Sequence, residues 1–144
     1  MRDAYSKPTE GSALKILVVD DNRDAALSMG RLLTALGNNV RVVHDGFSAL
    51  DTAEAFRPDA VLLDIGLPEM DGYDTARMLR DIPECENLTI IAVTGWGQDS
   101  DKERGRLAGI DHHVLKPADS STLIRLLSSA TERPHDTSSA LARE

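Results

Sequence analysis

Apolar residues in this chain fall into short runs separated by stretches of helical spacing. Ile16-Leu17-Val18-Val19, Ala60-Val61-Leu62-Leu63 and Ile90-Ile91-Ala92-Val93 are almost uninterrupted, and Val114-Leu115 ends a shorter run. Runs of this length bounded by polar residues read as parallel strands buried on both faces. The pattern predicts strands at Lys15–Val19, Val40–Val43, Ala60–Leu63, Leu88–Val93 and Asp111–Leu115. Between them Ala26, Met29, Leu33 and Leu36 recur at helical spacing, as do Leu50 with Ala53, Ala76 with Leu79, and Leu123, Leu126, Leu127 and Ala130. Five helices follow, each after a strand. The second strand contains Arg41, the mark of an edge position.

Local signals set the boundaries. Asn22 or Asp24 can cap the first helix, which stops near Gly37. The second spans Phe47–Phe56, and Arg57-Pro58-Asp59 ends it, because proline disfavours helix before itself. The third spans Tyr73–Arg80, followed by a polar loop from Pro83 to Asn87. The fourth, Asp99–Leu107, is strongly charged, and Ser120 or Ser121 caps the last. Strands alternating with helices indicate an α/β fold, a three-layer α/β/α sandwich around a parallel sheet with right-handed crossovers. Residues 1–13 read as a flexible lead-in, 14–131 as one domain and 132–144 as a disordered polar tail.

The strand ends carry the chemistry. The first apolar run leads into Asp20-Asp21, the third into Asp64, the fourth into Thr94 and the fifth into Lys116. Ligands of open parallel sheets bind beyond the carboxyl ends of the strands, so these residues should meet at one edge. Taken alone, Asp20-Asp21-Asn22-Arg23-Asp24 reads as a solvated turn, His112-His113 as a strand end, and Lys116-Pro117 as uninformative. Their occurrence at successive strand ends carries the information. Three carboxylates brought within ~5 Å disfavour one another's ionisation unless one takes up a proton or a dication sits between them. Oxygen donors select a hard ion, Mg²⁺ first and Mn²⁺ as substitute. Adjacent strands lie ~4.8 Å apart, which favours the first and third as neighbours. A carboxylate beside such an ion and an ammonium can attack phosphorus and form an aspartyl phosphate. Asp64, alone at its strand end before a loop containing Gly66, Pro68 and Gly72, is the best nucleophile. Asp20 and Asp21 suit the ion, and Thr94 can donate to a bound phosphoryl group.

Composition narrows the class. A chain of 144 residues is long enough for one domain with its own core. The net charge of -8 disfavours nucleic acid as a partner, and no apolar stretch approaches a membrane span or a signal peptide. Cys85 cannot form an intrachain disulfide, which fits a reducing cytoplasm, and its polar loop suggests a surface thiol.

The segments Ile16-Leu17-Val18-Val19-Asp20-Asp21-Asn22, Leu62 to Gly72, Ala92-Val93-Thr94-Gly95, Gly109-Ile110-Asp111 and Lys116-Pro117 together resemble the receiver domain of bacterial response regulators in two-component signalling. The resemblance covers about Leu14 to Ala130. It implies a flavodoxin-like, CheY-like sheet of order 2-1-3-4-5. It implies Asp64 as acceptor of a phosphoryl group from a histidine kinase or histidine phosphotransfer protein. It further implies Mg²⁺ bound by Asp20, Asp21, Asp64 and the backbone carbonyl of Gly66, phosphoryl contacts from Thr94 and Lys116, and often a cis Lys116-Pro117 bond. Such a domain catalyses its own phosphorylation and dephosphorylation without being a conventional enzyme, and passes the signal to a downstream protein.

Two positions depart from the commonest receiver pattern. His113 stands where a switch Tyr or Phe is usual, and its titration near neutrality raises the expectation of pH-dependent switching. Trp96 lies two residues after Thr94, where it would shield an acyl phosphate from water. Met1 and the polar tail favour a stand-alone regulator over a receiver belonging to a hybrid histidine kinase. A Mg²⁺-dependent phosphohydrolase would need a second acid near the nucleophile, and Asp64-Ile65-Gly66 lacks one two residues on. A degenerate receiver that binds partners unphosphorylated is disfavoured because the five key residues are present. No Gly-x-Gly-x-x-Gly follows the first strand, so a dinucleotide site has no support.

Overall fold

A computed structural model describes residues 13–95 and 99–132. The tail beyond Glu132, which ends the last helix, most of the lead-in and Trp96 therefore lie outside the described residues. The elements alternate as β1 (Lys15–Val19), α1 (Arg23–Ala35), β2 (Asn39–Val43), α2 (Gly46–Phe56), β3 (Ala60–Asp64), α3 (Gly72–Arg80), β4 (Thr89–Thr94), α4 (Asp99–Ala108), β5 (His112–Leu115) and α5 (Ser120–Glu132). The strands form a parallel sheet of order β2-β1-β3-β4-β5, as the receiver resemblance implies. β2 is an edge strand, in line with its Arg41, and β1 and β3 are neighbours.

Two apolar cores sandwich the sheet. Leu17, Val19, Val61, Leu63 and Ile90 pack with Ala49 and Ala53 of α2 and Ala76 and Leu79 of α3. Ile16, Val18, Leu62 and Ile91 point the other way, toward Ala26 and Leu33 of α1 and Leu123 and Leu127 of α5. Alternate residues of one strand thus serve opposite layers, which is why these runs are continuously apolar. Burying each Leu or Ile contributes about 1.5–3 kcal/mol.

Several local readings are corrected by packing. Cys85 is 1% exposed and not a surface thiol. Pro83–Cys85 forms a 3₁₀ turn that directs the thiol inward, where it donates to the Ala53 carbonyl at 3.8 Å. Burial and the nearby Glu84 push that thiol's pKa up. The α5 cap is Asp119 and not Ser120 or Ser121. Its Oδ2 accepts from the Thr122 amide at 3.2 Å and from the Ser121 hydroxyl at 2.6 Å. A carboxylate accepts several donors at once and displaces the serine from that role. At α1, Asn22 rather than Asp24 caps, accepting from the Ala25 amide at 3.0 Å.

The amino-terminal side of the sheet is tied by Arg80. Its guanidinium donates to the carbonyls of Gly109 (2.7 and 3.0 Å) and Leu88 (2.5 Å) and pairs with Asp111 at 2.8 Å. Asp111 also accepts from the Ile90 amide at 2.8 Å. One side chain thereby joins α3, the start of β4 and the α4–β5 turn, where Gly109 takes φ 93°.

Candidate phosphoryl-transfer site

At the opposite, carboxyl edge the strand ends converge. Asp20 and Asp21 follow β1, Asp64 ends β3, Thr94 ends β4 and Lys116 follows β5. One carboxylate oxygen each from Asp20, Asp21 and Asp64 lies within 4.8 Å of the others. The Lys116 ammonium is 3.3 Å from Asp64 Oδ2. A cleft of about 500 Å³ is bounded by Asp21, Asp64, Gly66, Thr94 and Lys116. The predicted cluster is therefore spatially real.

Each member is held by backbone. Asp64 is 6% exposed, and its Oδ1 accepts from the Gly66 amide at 3.0 Å. The β3–α3 loop then closes through Gly72 N–H to the Ile65 carbonyl at 2.9 Å. Thr94 is 5% exposed, and its carbonyl accepts from the Lys116 amide at 2.8 Å, which joins the hydroxyl and ammonium residues through the main chain. The Lys116-Pro117 bond is cis. Asp21 is exposed and Asp20 half-buried. The Asp20 carboxyl has its pKa raised, chiefly by burial and partly offset by the Asn22 amide 2.9 Å from Oδ1; the Asp64 charge raises it further.

The donor set fits a hard divalent ion: three carboxylates with an open cleft beside them, and no sulfur or imidazole among them. Next to this polar cleft runs an apolar pocket of about 580 Å³ between α1 and the β5–α5 connection, lined by Met29, Leu32, Leu62, Val93 and Pro117. His113 does not line the cleft. It lies on β5 opposite Ala92, with its ring seated in the notch that Gly105 leaves on α4. His44 went unnoticed in the sequence. Its Nδ1 lies 3.0 Å from the Asp20 carbonyl oxygen, a contact between residues 24 apart that no local pattern announces.

The family model of the response regulator receiver domain matches residues 16–128. The chain belongs to the response-regulator receiver family. Among curated proteins, this receiver is 34% identical over 132 residues to the response regulator MprA of Mycobacterium bovis, covering 90% of the chain and 56% of that protein. It is 38% identical over 104 residues to MprA of Mycobacterium avium, covering 72% and 45%. The chain thus spans about half the length of the curated relatives it matches. Among solved structures, the receiver domain of the sensor histidine kinase PA1611 from Pseudomonas aeruginosa PAO1 is 34% identical with a TM-score of 0.75, covering 83% of this chain and 98% of that one. That structure holds a magnesium ion coordinated in its active-site cleft. The chemotaxis protein CheY4 of Vibrio cholerae is 25% identical with a TM-score of 0.78, covering 82% and 98%. Among the described residues of this receiver, no helix is long and apolar enough to cross a membrane.

Proposed function

We propose that this receiver is a phosphorylation-controlled switch in which Asp64 is the phosphoacceptor. The observation that carries the reading is the meeting of the Asp64 carboxylate with Lys116 at 3.3 Å and with two further carboxylates at one sheet edge. An Asp64 oxygen would attack the phosphorus of a phosphohistidine on a histidine kinase or histidine phosphotransfer protein. The new O–P bond forms as the P–N bond breaks, and the imidazole nitrogen leaves with its electron pair. Asp20, Asp21, Asp64 and the Gly66 carbonyl are the residues to hold Mg²⁺, with Mn²⁺ as substitute. When bound, that ion would supply neutralisation of the phosphoryl oxygens. Lys116 would neutralise a further oxygen, and the Thr94 hydroxyl would donate to the transferred group.

Signalling would follow as Thr94 shifts toward the phosphoryl group and alters the surface of α4, β5 and α5 by population shift. We read the output as binding to a downstream protein, in the cytoplasm, from a stand-alone regulator without nucleic-acid contact or conventional enzymatic turnover. Membership in a hybrid histidine kinase is the second reading, favoured by the similarity to the receiver of PA1611. The coding sequence adjoining this segment decides between them.

The phosphoacceptor is tested by incubating the protein with acetyl phosphate and MgCl₂ and measuring intact mass. A gain of ~80 Da in the wild type and none in Asp64→Asn is expected. Equal labelling of both proteins would remove Asp64 from the role.

A further inference from the structure

We propose that His44 is a positioning residue for the acidic cluster, fixing the backbone of Asp20 from the β2–α2 turn. The proposal rests on the reading of that cluster as a Mg²⁺ site. The β1–β2 and β1–β3 ladders both end at Val19, so Asp20 is the first residue beyond them. Two hydrogen bonds hold it there. The Asp20 amide donates to the Val43 carbonyl at 3.2 Å. The Asp20 carbonyl oxygen lies 3.0 Å from His44 Nδ1. A carbonyl only accepts, so Nδ1 carries the proton and donates. The last residue of β2 and the first of the turn after it thus grip both backbone polar groups of Asp20, and the Asn22 amide fixes the carboxylate at 2.9 Å.

The turn is itself anchored. Asp45 caps α2, accepting from the Ser48 amide at 2.7 Å and the Ser48 hydroxyl at 3.1 Å. Gly46 is wedged so tightly that a Cβ there would meet Thr75 Oγ1 at 2.5 Å and Met70 Sδ at 3.0 Å. Met70 belongs to the same β3–α3 loop as Gly66. The turn therefore braces the loop bearing Gly66 through Gly46 and the loop bearing Asp20 and Asp21 through His44. Without the imidazole donor, the peptide between Asp20 and Asp21 loses the bond on its carbonyl and is held only by the Asp20 amide and the Asn22 contact. Both carboxylates would then be set less firmly relative to Asp64. Outer-shell partners of this kind typically change metal affinity by about 10–100-fold when removed. A bond to a ligand's backbone, one step further from the ion, belongs at the lower end.

The test compares the full chain with His44→Leu, His44→Asn and His44→Gln, titrating each with MgCl₂ by isothermal calorimetry and recording metal-free thermal unfolding. The asparagine amide can occupy the place of Nδ1, whereas the glutamine amide reaches toward Nε2. His44→Leu and His44→Gln should bind Mg²⁺ about tenfold more weakly. His44→Asn should stay close to wild type, although all three substitutions remove the ring. Should His44→Leu fail to fold, the Asn–Gln pair carries the comparison. Wild-type affinity in His44→Gln, or His44→Asn as weak as His44→Gln, would overturn the positioning role. Absence of saturable Mg²⁺ binding in the wild type would instead overturn the metal-site reading itself.

Discussion

Replacing Gly72 by alanine should damage the protein even though it adds a helix-favouring residue to α3. In an unobstructed helix the change gains about 0.5–1 kcal/mol, because alanine has less backbone freedom to lose. Here a Cβ would stand 2.6 Å from Ile65 Cα, 2.7 Å from Ile65 Cδ1 and 2.8 Å from the Asp64 carbonyl oxygen. Two of these atoms are backbone at the end of β3, so no rotamer change relieves the clash. Overpacking of this kind costs about 1–3 kcal/mol. Set against the helix gain, the expected net loss is on the order of 1–2 kcal/mol, or roughly 4–8 °C in Tm for a domain of this size. Gly66→Ala, in the loop that leads into α3, is the internal control. Its Cβ would meet only Asp64 Oδ1, at 3.8 Å, and stability should change by less than about 0.5 kcal/mol. Urea and thermal denaturation of both variants supply the comparison, with acetyl phosphate labelling measured well below each Tm. Because the crowded atoms include the Asp64 backbone, Gly72→Ala should also label more slowly. A Gly72→Ala protein at least as stable as wild type would refute the steric argument.

Arg80→Ala removes hydrogen bonds to Gly109, Leu88 and Asp111 at a site about one-fifth exposed, and should cost roughly 2–3 kcal/mol in urea denaturation. An unchanged midpoint would show the bonds to be dispensable. Cys85, buried and with its pKa raised by that burial, should react with an aromatic disulfide reagent in the folded state far more slowly than after denaturation. Comparable rates would contradict the packing. The Ser121 and Thr122 donors hold the Asp119 carboxyl below the usual carboxylate range. A group depressed on folding stabilises fully above its unfolded pKa and loses that contribution as pH falls through the folded value. The stability gap between wild type and Asp119→Ala should therefore close on acidification below about pH 4, and a gap constant down to pH 2 would exclude the carboxylate as cap.

The sheet and its acidic edge were legible because both depend on repeating local signals. Apolar runs such as Ile16–Val19 and Ala60–Leu63 need burial on both faces, and parallel strands place all their carboxyl ends on one side. Asp20, Asp21, Asp64, Thr94 and Lys116 follow from that geometry. His44, Arg80 and Cys85 were hidden for the opposite reason. His44 acts on a carbonyl 24 residues earlier, Arg80 on carbonyls up to 29 residues later, and Cys85 is turned inward by a short 3₁₀ turn against a helix 32 residues away. Such contacts are set by packing, and the residues around them read simply as polar. The cap of α5 was legible in principle, since Asp119 precedes two serines and a threonine. Choosing the serine overlooked how many donors one carboxylate can collect.

The acidic edge also shows how this fold separates scaffold from chemistry. Asp64 ends a ladder in which it faces Val93, and Thr94 faces Leu115 in the next. Asp20 is tied to Val43 and Lys116 to Thr94 by main-chain bonds. These bonds are indifferent to the side chains they position. Crowded carboxylates can therefore persist although burial and mutual repulsion raise the Asp20 pKa. Part of the cost is offset locally, by the Asn22 amide that donates to Asp20 Oδ1 and by Lys116 through its ion pair with Asp64. On the proposed reading, the charge still uncompensated would draw a cation to the cluster and, through it, a phosphoryl group. Electrostatic strain at this edge would then be the physical basis of the proposed switch, and a sequence that neutralised it fully would lose the reason to bind either.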